Sequence, residues 1–150
     1  MLMPKRTKFR KVQKGNMKGL SKGARTVDFG DYGICALEPI RLTARQIEAM
    51  RVSLSRRLKK VGNFILRVFP DKPVTKKPAE VRMGGGKGSP EFWVCVVKRG
   101  RVIAEISGVD KATAKSIFKS VSYKLPMKVK FVESAKNVVE VKDSTKSIDA

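Results

Sequence analysis

The sequence contains no histidine, and histidine is the commonest general base and metal ligand at neutral pH. Histidine-dependent catalytic triads, His-based zinc sites and two-His iron sites therefore cannot be built from this chain. Cys35 and Cys95 are its only cysteines, 60 residues apart and outside any CxxC pair. Metal and iron–sulfur sites that need four cysteines are excluded with them. Two thiols in apolar surroundings are expected to be small buried hydrophobes rather than a disulfide. The acids are scattered, with no close pair in a glycine-framed site, which leaves no constellation for general acid–base work.

What the side chains can do is bind anions. Lys and Arg number 34 against 13 Asp and Glu, a net charge of +21. A charge of that size calls for a polyanionic partner: nucleic acid, an anionic membrane or an acidic protein. It is unevenly spread: residues 1–25 carry +9 with no acid and residues 41–90 carry +10, whereas residues 26–40 sum to −3 and residues 91–150 to +5. The candidate contacts in the first stretch are Lys5, Arg6, Lys8, Arg10, Lys11, Lys14 and Lys18. With few large apolar residues and spaced glycines, this stretch cannot fold alone and reads as an arm that orders when phosphates neutralise it. In the second stretch, Arg45, Arg56, Lys59 and Lys60 fall on one side of a helix, and Glu48 is that helix's only carboxylate. Repulsion among unpaired cations destabilises an isolated helix, and a polyanion removes the penalty.

The third candidate is the run Arg82, Met83, Gly84, Gly85, Gly86, Lys87, Gly88. A Walker loop needs GxxxxGK followed by Ser or Thr, but Val81 stands at the first glycine and Gly88 follows Lys87. The run also precedes a strand rather than a helix, and no GxGxxG occurs, so no nucleotide cofactor is expected. Arg82 and Lys87 instead flank a backbone bare of side chains that can lie against RNA.

The elements that must position these groups follow from periodicity. Tyr32–Leu37 reads as a strand. Thr43 and Gln46 form a capping box, and Ile47, Met50, Leu54, Leu58 and Val61 make an apolar stripe up to a stop at Gly62. Asn63–Phe69 is a strand, and Pro70–Pro90 a long loop. Phe92–Val97 is a buried strand, Trp93 part of the core, and Gly100 turns the chain into a partner strand from Arg101 to Ser107. Asp110 caps a second helix to Lys124 with Ala114, Ile117, Phe118, Val121 and Leu125 inward, and Lys128–Val132 is a last strand. The expected fold is α+β: a compact single domain of mixed sheet with two helices. The arm covers 1–26, the globular domain 27–132 and a polar tail 133–150. The 41% apolar content supports a real core, no run of 18 apolar residues occurs, and Met1–Arg6 lacks the apolar stretch of a secretory signal.

Several stretches together resemble the large-subunit ribosomal proteins of the L-sixteen family, in their bacterial and organellar form. They are Pro4–Lys11, Phe29–Gly33, Leu42–Ala49, Arg67–Pro73, Arg82-Met83-Gly84, Gly86-Lys87-Gly88 and Lys124-Leu125-Pro126, all in one register over residues 1 to about 132. Phe64, Gly85 and Arg99 depart from it, standing where Trp, Lys and Pro are usual. The resemblance implies a hammerhead-type domain with a basic arm that binds large-subunit rRNA near the peptidyl-transferase region. It implies that loop 70–90, with Arg82, reaches toward tRNA, and that the protein acts late in subunit assembly. The implied partners are rRNA, tRNA and neighbouring ribosomal proteins, with no membrane and no homo-oligomer. The implied location is the ribosome of a bacterial cytoplasm or of an organelle that encodes the chain. An RNA-processing enzyme is disfavoured by the missing histidine. A membrane-surface binder is disfavoured because the apolar stripe of the first helix lacks aromatics and is needed by the core.

Overall fold

The computed structural model describes residues 1–59 and 61–135. Lys60 and most of the expected tail lie outside that set. Seven strands and two helices follow the arm: β1 (Tyr32–Ala36), β2 (Ile40–Thr43), α1 (Ala44–Leu58), β3 (Asn63–Leu66), β4 (Lys72–Lys76), β5 (Ser89–Val97), β6 (Val102–Ser107), α2 (Lys111–Ser122) and β7 (Val129–Glu133). They form two antiparallel sheets, ordered β3-β6-β1-β7 and β2-β5-β4. The architecture is α+β, as expected.

The core lies where both sheets meet the apolar faces of the helices. Ile47, Met50 and Leu54 of α1, Ile34 of β1, Val97 of β5, Ile103 and Ile106 of β6 and Val121 of α2 are all buried there. Each such side chain stabilises the fold by about 1.5–3 kcal/mol relative to leaving it exposed. The Thr43–Gln46 capping box forms in both directions, Gln46 N donating to Thr43 Oγ1 at 3.3 Å and Thr43 N to Gln46 Oε1 at 3.0 Å. Asp110 caps α2 by accepting from Thr113 N at 3.1 Å, and hydrogen bonds from the Thr113 side chain and then its backbone N–H hold the carboxyl below the ordinary range.

Three expectations are corrected. The first helix stops at Leu58, because Lys59 turns left-handed at φ 42°; Val61 is therefore off the stripe and 77% exposed. Gly62 serves close packing instead of capping: a Cβ there would come within 2.7 Å of Ser107 O and 3.0 Å of Leu58 Cδ2. The hairpin expected at Gly100 does not form, since β5 and β6 belong to different sheets. Residues 98–101 are fastened to β1, with Gly100 N donating to Ala36 O and Ala36 N to Arg101 O, both at 2.8 Å, and this carries the chain across between sheets. The Pro70–Pro90 segment is not all loop. Lys72–Lys76 pairs with β5 from Lys72↔Val94 to Lys76↔Ser89, which shortens the loop to residues 77–88. Trp93, expected in the core, is only half-buried and lies outside the core cluster.

One polar cluster sits inside the apolar frame. Glu105 of β6 is fully buried. Its carboxylate accepts from Phe29 N and Gly30 N at 2.8 Å each, and pairs with Arg67 NH1 at 2.6 Å. Arg67 also donates to Asp28 at 2.9 Å and to Thr26 O at 2.7 Å, and lies over the Phe29 ring. Burial disfavours the guanidinium charge, but Glu105 and Asp28 outweigh it and raise the Arg67 pKa above its ordinary value. Removing one partner of a buried pair leaves a desolvated charge behind. Glu105→Ala is therefore expected to cost about 3–5 kcal/mol in urea unfolding, and a loss below about 1 kcal/mol would show the cluster to be dispensable.

Candidate nucleic-acid interface

The arm has extended backbone without helix or strand apart from a bridge at Leu20, and Lys5, Arg6, Lys8, Arg10, Lys11, Lys14 and Lys18 are all exposed along it. It is nevertheless seated on the domain. Leu2 packs against the core. Farther along, Leu20 bridges to Arg99, Ser21 N donates to Arg99 O at 2.9 Å, and Val102 N donates to Ala24 O at 2.7 Å.

Between these anchors the arm meets the loop. Lys11 Nζ donates to Lys87 O at 2.8 Å, and Lys87 Nζ donates back to Val12 O at 2.6 Å. Like charges are thus held side by side through neutral carbonyls, and neither of these two bonds uses a carboxylate. Loop 77–88 closes the β4–β5 hairpin. Arg82, Met83, Gly84, Gly85, Gly86 and Lys87 are exposed, Met83 at 95%, and Gly88 is half-buried at the stem. Gly84, Gly85 and Gly86 have φ of 99°, 70° and 86°, with no atom within 4 Å of where a Cβ would stand. The constraint is the left-handed backbone and not space, so these glycines give the loop a path that other residues would strain. Lys77 Nζ reaches across to Gly84 O at 2.6 Å.

On α1, Arg45, Arg56 and Lys59 are exposed, together with Arg57. Glu48 pairs with Arg51 at 2.7 Å, and that hydrogen bond holds its carboxyl below the ordinary range. The helix's single carboxylate is thereby used within the helix, and Arg56 and Arg57 remain in its last turn, where the helix dipole favours cations. Among the described residues, no hydrogen bond or ion pair joins Arg56 or Lys59 to the arm or loop. The structure thus brings arm and loop together and leaves the end of α1 as a separate cationic face.

Two residues beneath the arm escaped the sequence reading. Arg41 of β2 donates to Lys14 O at 3.0 Å, and Lys72 of β4 donates to the same carbonyl at 2.7 Å. The alternation Ile40-Arg41-Leu42 was a usable signal, since it turns Arg41 away from the buried Leu42; Lys72 was obscured by the assignment of its segment to a loop. The remaining groups suit binding and not turnover. Cys35 and Cys95 are free thiols whose pKa values burial pushes up, so both are neutral. Among the described residues, no group of three or more His, Cys, Asp or Glu could hold a metal ion. No described helix is long and apolar enough to cross a membrane.

The paired Lys11 and Lys87 contacts generate a prediction. Lys87→Gln should speed limited tryptic cleavage after Lys11 and Lys14 while leaving the thermal midpoint unchanged; unaltered cleavage would show that arm and loop are independent.

Comparison with known proteins points the same way as this geometry. The family model for ribosomal protein L16p/L10e matches residues 4–132. The large ribosomal subunit protein uL16 of Sorangium cellulosum is 57% identical over 132 residues, covering 88% of this chain and 96% of that protein. The uL16 of Heliobacterium modesticaldum is 54% identical over 133 residues, 89% of this chain and 92% of that protein. That of Maricaulis maris is 56% identical over 132 residues, 88% and 96% of the two chains. The resemblance carried by the arm, helix and loop motifs is borne out: the chain belongs to the ribosomal protein L16p/L10e family.

Proposed function

We propose that the chain is built into large-subunit rRNA through three surfaces. These are the arm from Lys5 to Lys18, the cationic face of α1 at Arg45 and Arg56 with Lys59 and Lys60 following it in sequence, and the loop from Arg82 to Gly88. As a member of its family it is a structural constituent of the large ribosomal subunit, associated with rRNA and other ribosomal proteins, and it is not an enzyme. The observation that carries the finer reading is the joined arm and loop. An arm without a single acid is held against a loop with three cations to one carboxylate, Glu80. Such a surface is repulsive to itself and is relieved by phosphates. RNA then performs whatever chemistry the assembly supports, and the protein fixes its shape. In this reading the surface lies near the peptidyl-transferase region and is occupied late in subunit assembly. Met83 and the open glycine backbone make the loop tip the part best suited to reach a second RNA, the tRNA entering beside it.

Two outcomes are expected. Affinity for a large-subunit rRNA fragment should fall steeply with salt, by on the order of 10³–10⁵ between about 50 and 200 mM if about six to ten phosphates are neutralised; a flat response would contradict the model. Arg82→Ala should slow tRNA accommodation on assembled ribosomes more than it reduces incorporation of the protein into subunits, and equal defects would make the loop a scaffold element only.

A further inference from the structure

Among the described residues, the only buried side-chain nitrogen or oxygen atoms without a hydrogen-bond partner are the Nε atoms of Arg41 and Arg101. Buried polar groups are nearly always satisfied, and exceptions concentrate where a ligand, ion or water belongs. Both atoms are on residues that line cavities flanking the same stretch of arm. Arg101 lines a cleft of about 790 Å³ that also contains Val12, and Asp71 there disfavours an anion. Arg41 lines a cavity of about 410 Å³ with Lys14, Lys87, Val12, Val74 and Thr75, and no carboxylate lines it. Lys72 borders this region through Lys14 O, which it shares with Arg41, and Arg41 NH2 also lies 3.4 Å from Gly15 O.

From this we infer that the seam between the arm and the β2-β5-β4 sheet is a phosphate site. Its ligand is one phosphodiester of an RNA strand, gripped by Arg41, Lys14 and Lys87. The inference rests on the RNA-bound reading above and adds residues to it. The cations around the cavity come from three separated segments: arm, β2 and the β4–β5 loop. Among the described residues, Arg41 and Lys87 donate there only to neutral backbone carbonyls. A phosphate accepts charge-assisted hydrogen bonds about twice as strong as neutral ones, and Arg presents Nε and NH2 as a planar fork suited to two of its oxygens. Val12 and Val74 offer apolar surface beside the cations for the attached ribose. Filling the seam would also lock the arm to the loop, because Lys14 and Lys87 belong one to each.

The test is the salt dependence of binding to a large-subunit rRNA fragment by the full chain. Arg41→Gln should lower the slope of log affinity against log salt by about 0.7–0.9, the share of one phosphate. Arg41→Lys should retain most of that slope because it keeps the charge. Lys14→Gln combined with Lys87→Gln, with Arg41 intact, should also lower it. Lys111→Gln, whose charge faces Glu133 at 2.7 Å, serves as the control and should leave the slope unchanged. A steep slope identical in the unsubstituted chain and Arg41→Gln would overturn the phosphate site alone. So would an equal loss in Arg41→Lys, which would mark Arg41 as a strut for the arm. A shallow slope already in the unsubstituted chain would overturn the underlying reading instead.

Discussion

The buried carboxylate of Glu105 decides where the arm leaves the domain. By accepting from Phe29 N and Gly30 N and pairing with Arg67, it ties three segments at one point: the link between the arm and β1, the residue after β3, and β6. Taken alone, a charge buried in an apolar sheet is costly, and it persists only because its acceptor sites are filled. What it provides is direction. With residues 28–30 fixed over β6, the chain upstream passes Ala24 and Ser21 beside residues 99–102 and crosses toward the loop. A fixed interior contact thereby places a highly charged segment that has no helix or strand of its own.

The second constraint is the scarcity of acids. Those that are paired serve positions inside the fold or along its edge: Glu105 and Asp28 with Arg67, Glu48 with Arg51, Glu133 with Lys111, and Glu38 with Lys128. None of these pairs reaches the arm, the last turn of α1 or the 77–88 loop. Among the described residues, these ion pairs lie where the chain must fold and not on the surface proposed to meet RNA. Where two cationic segments must lie together, backbone carbonyls accept from them, as at Lys14 and Lys87.

Elements governed by local pattern were legible in the sequence. The Thr43–Gln46 box, the Asp110 cap and the stripes of α1 and α2 all lie within short windows, and the structure forms them where expected, apart from the earlier ends of α1 at Leu58 and of α2 at Ser122. Elements governed by long-range pairing were not. Lys72–Lys76 contains Pro73 and three polar residues, and it becomes a strand only because β5 offers it an antiparallel edge. Residues 98–101 look like a hairpin turn locally, but their hydrogen bonds go to β1, which is distant in sequence. Of the candidate interface, the cations themselves were readable from charge runs. Their joining through carbonyls was not, because a carbonyl leaves no trace in residue type. Glu105 had a visible signal, a lone carboxylate in the apolar run from Val102 to Ile106, whose meaning depended on Arg67 and residues 28–30 reaching it.

RNA that covers the arm and the loop, as proposed, would shield their lysines on assembly and not those of α2. Lysine acetylation read by mass spectrometry, comparing the free chain with the chain in assembled large subunits, tests this most directly. The account predicts strong protection at Lys5, Lys8, Lys11, Lys14, Lys18 and Lys87 on assembly, with Lys115 and Lys119 of α2 remaining far more reactive. Equal protection across all these lysines, or protection confined to α2, would contradict it.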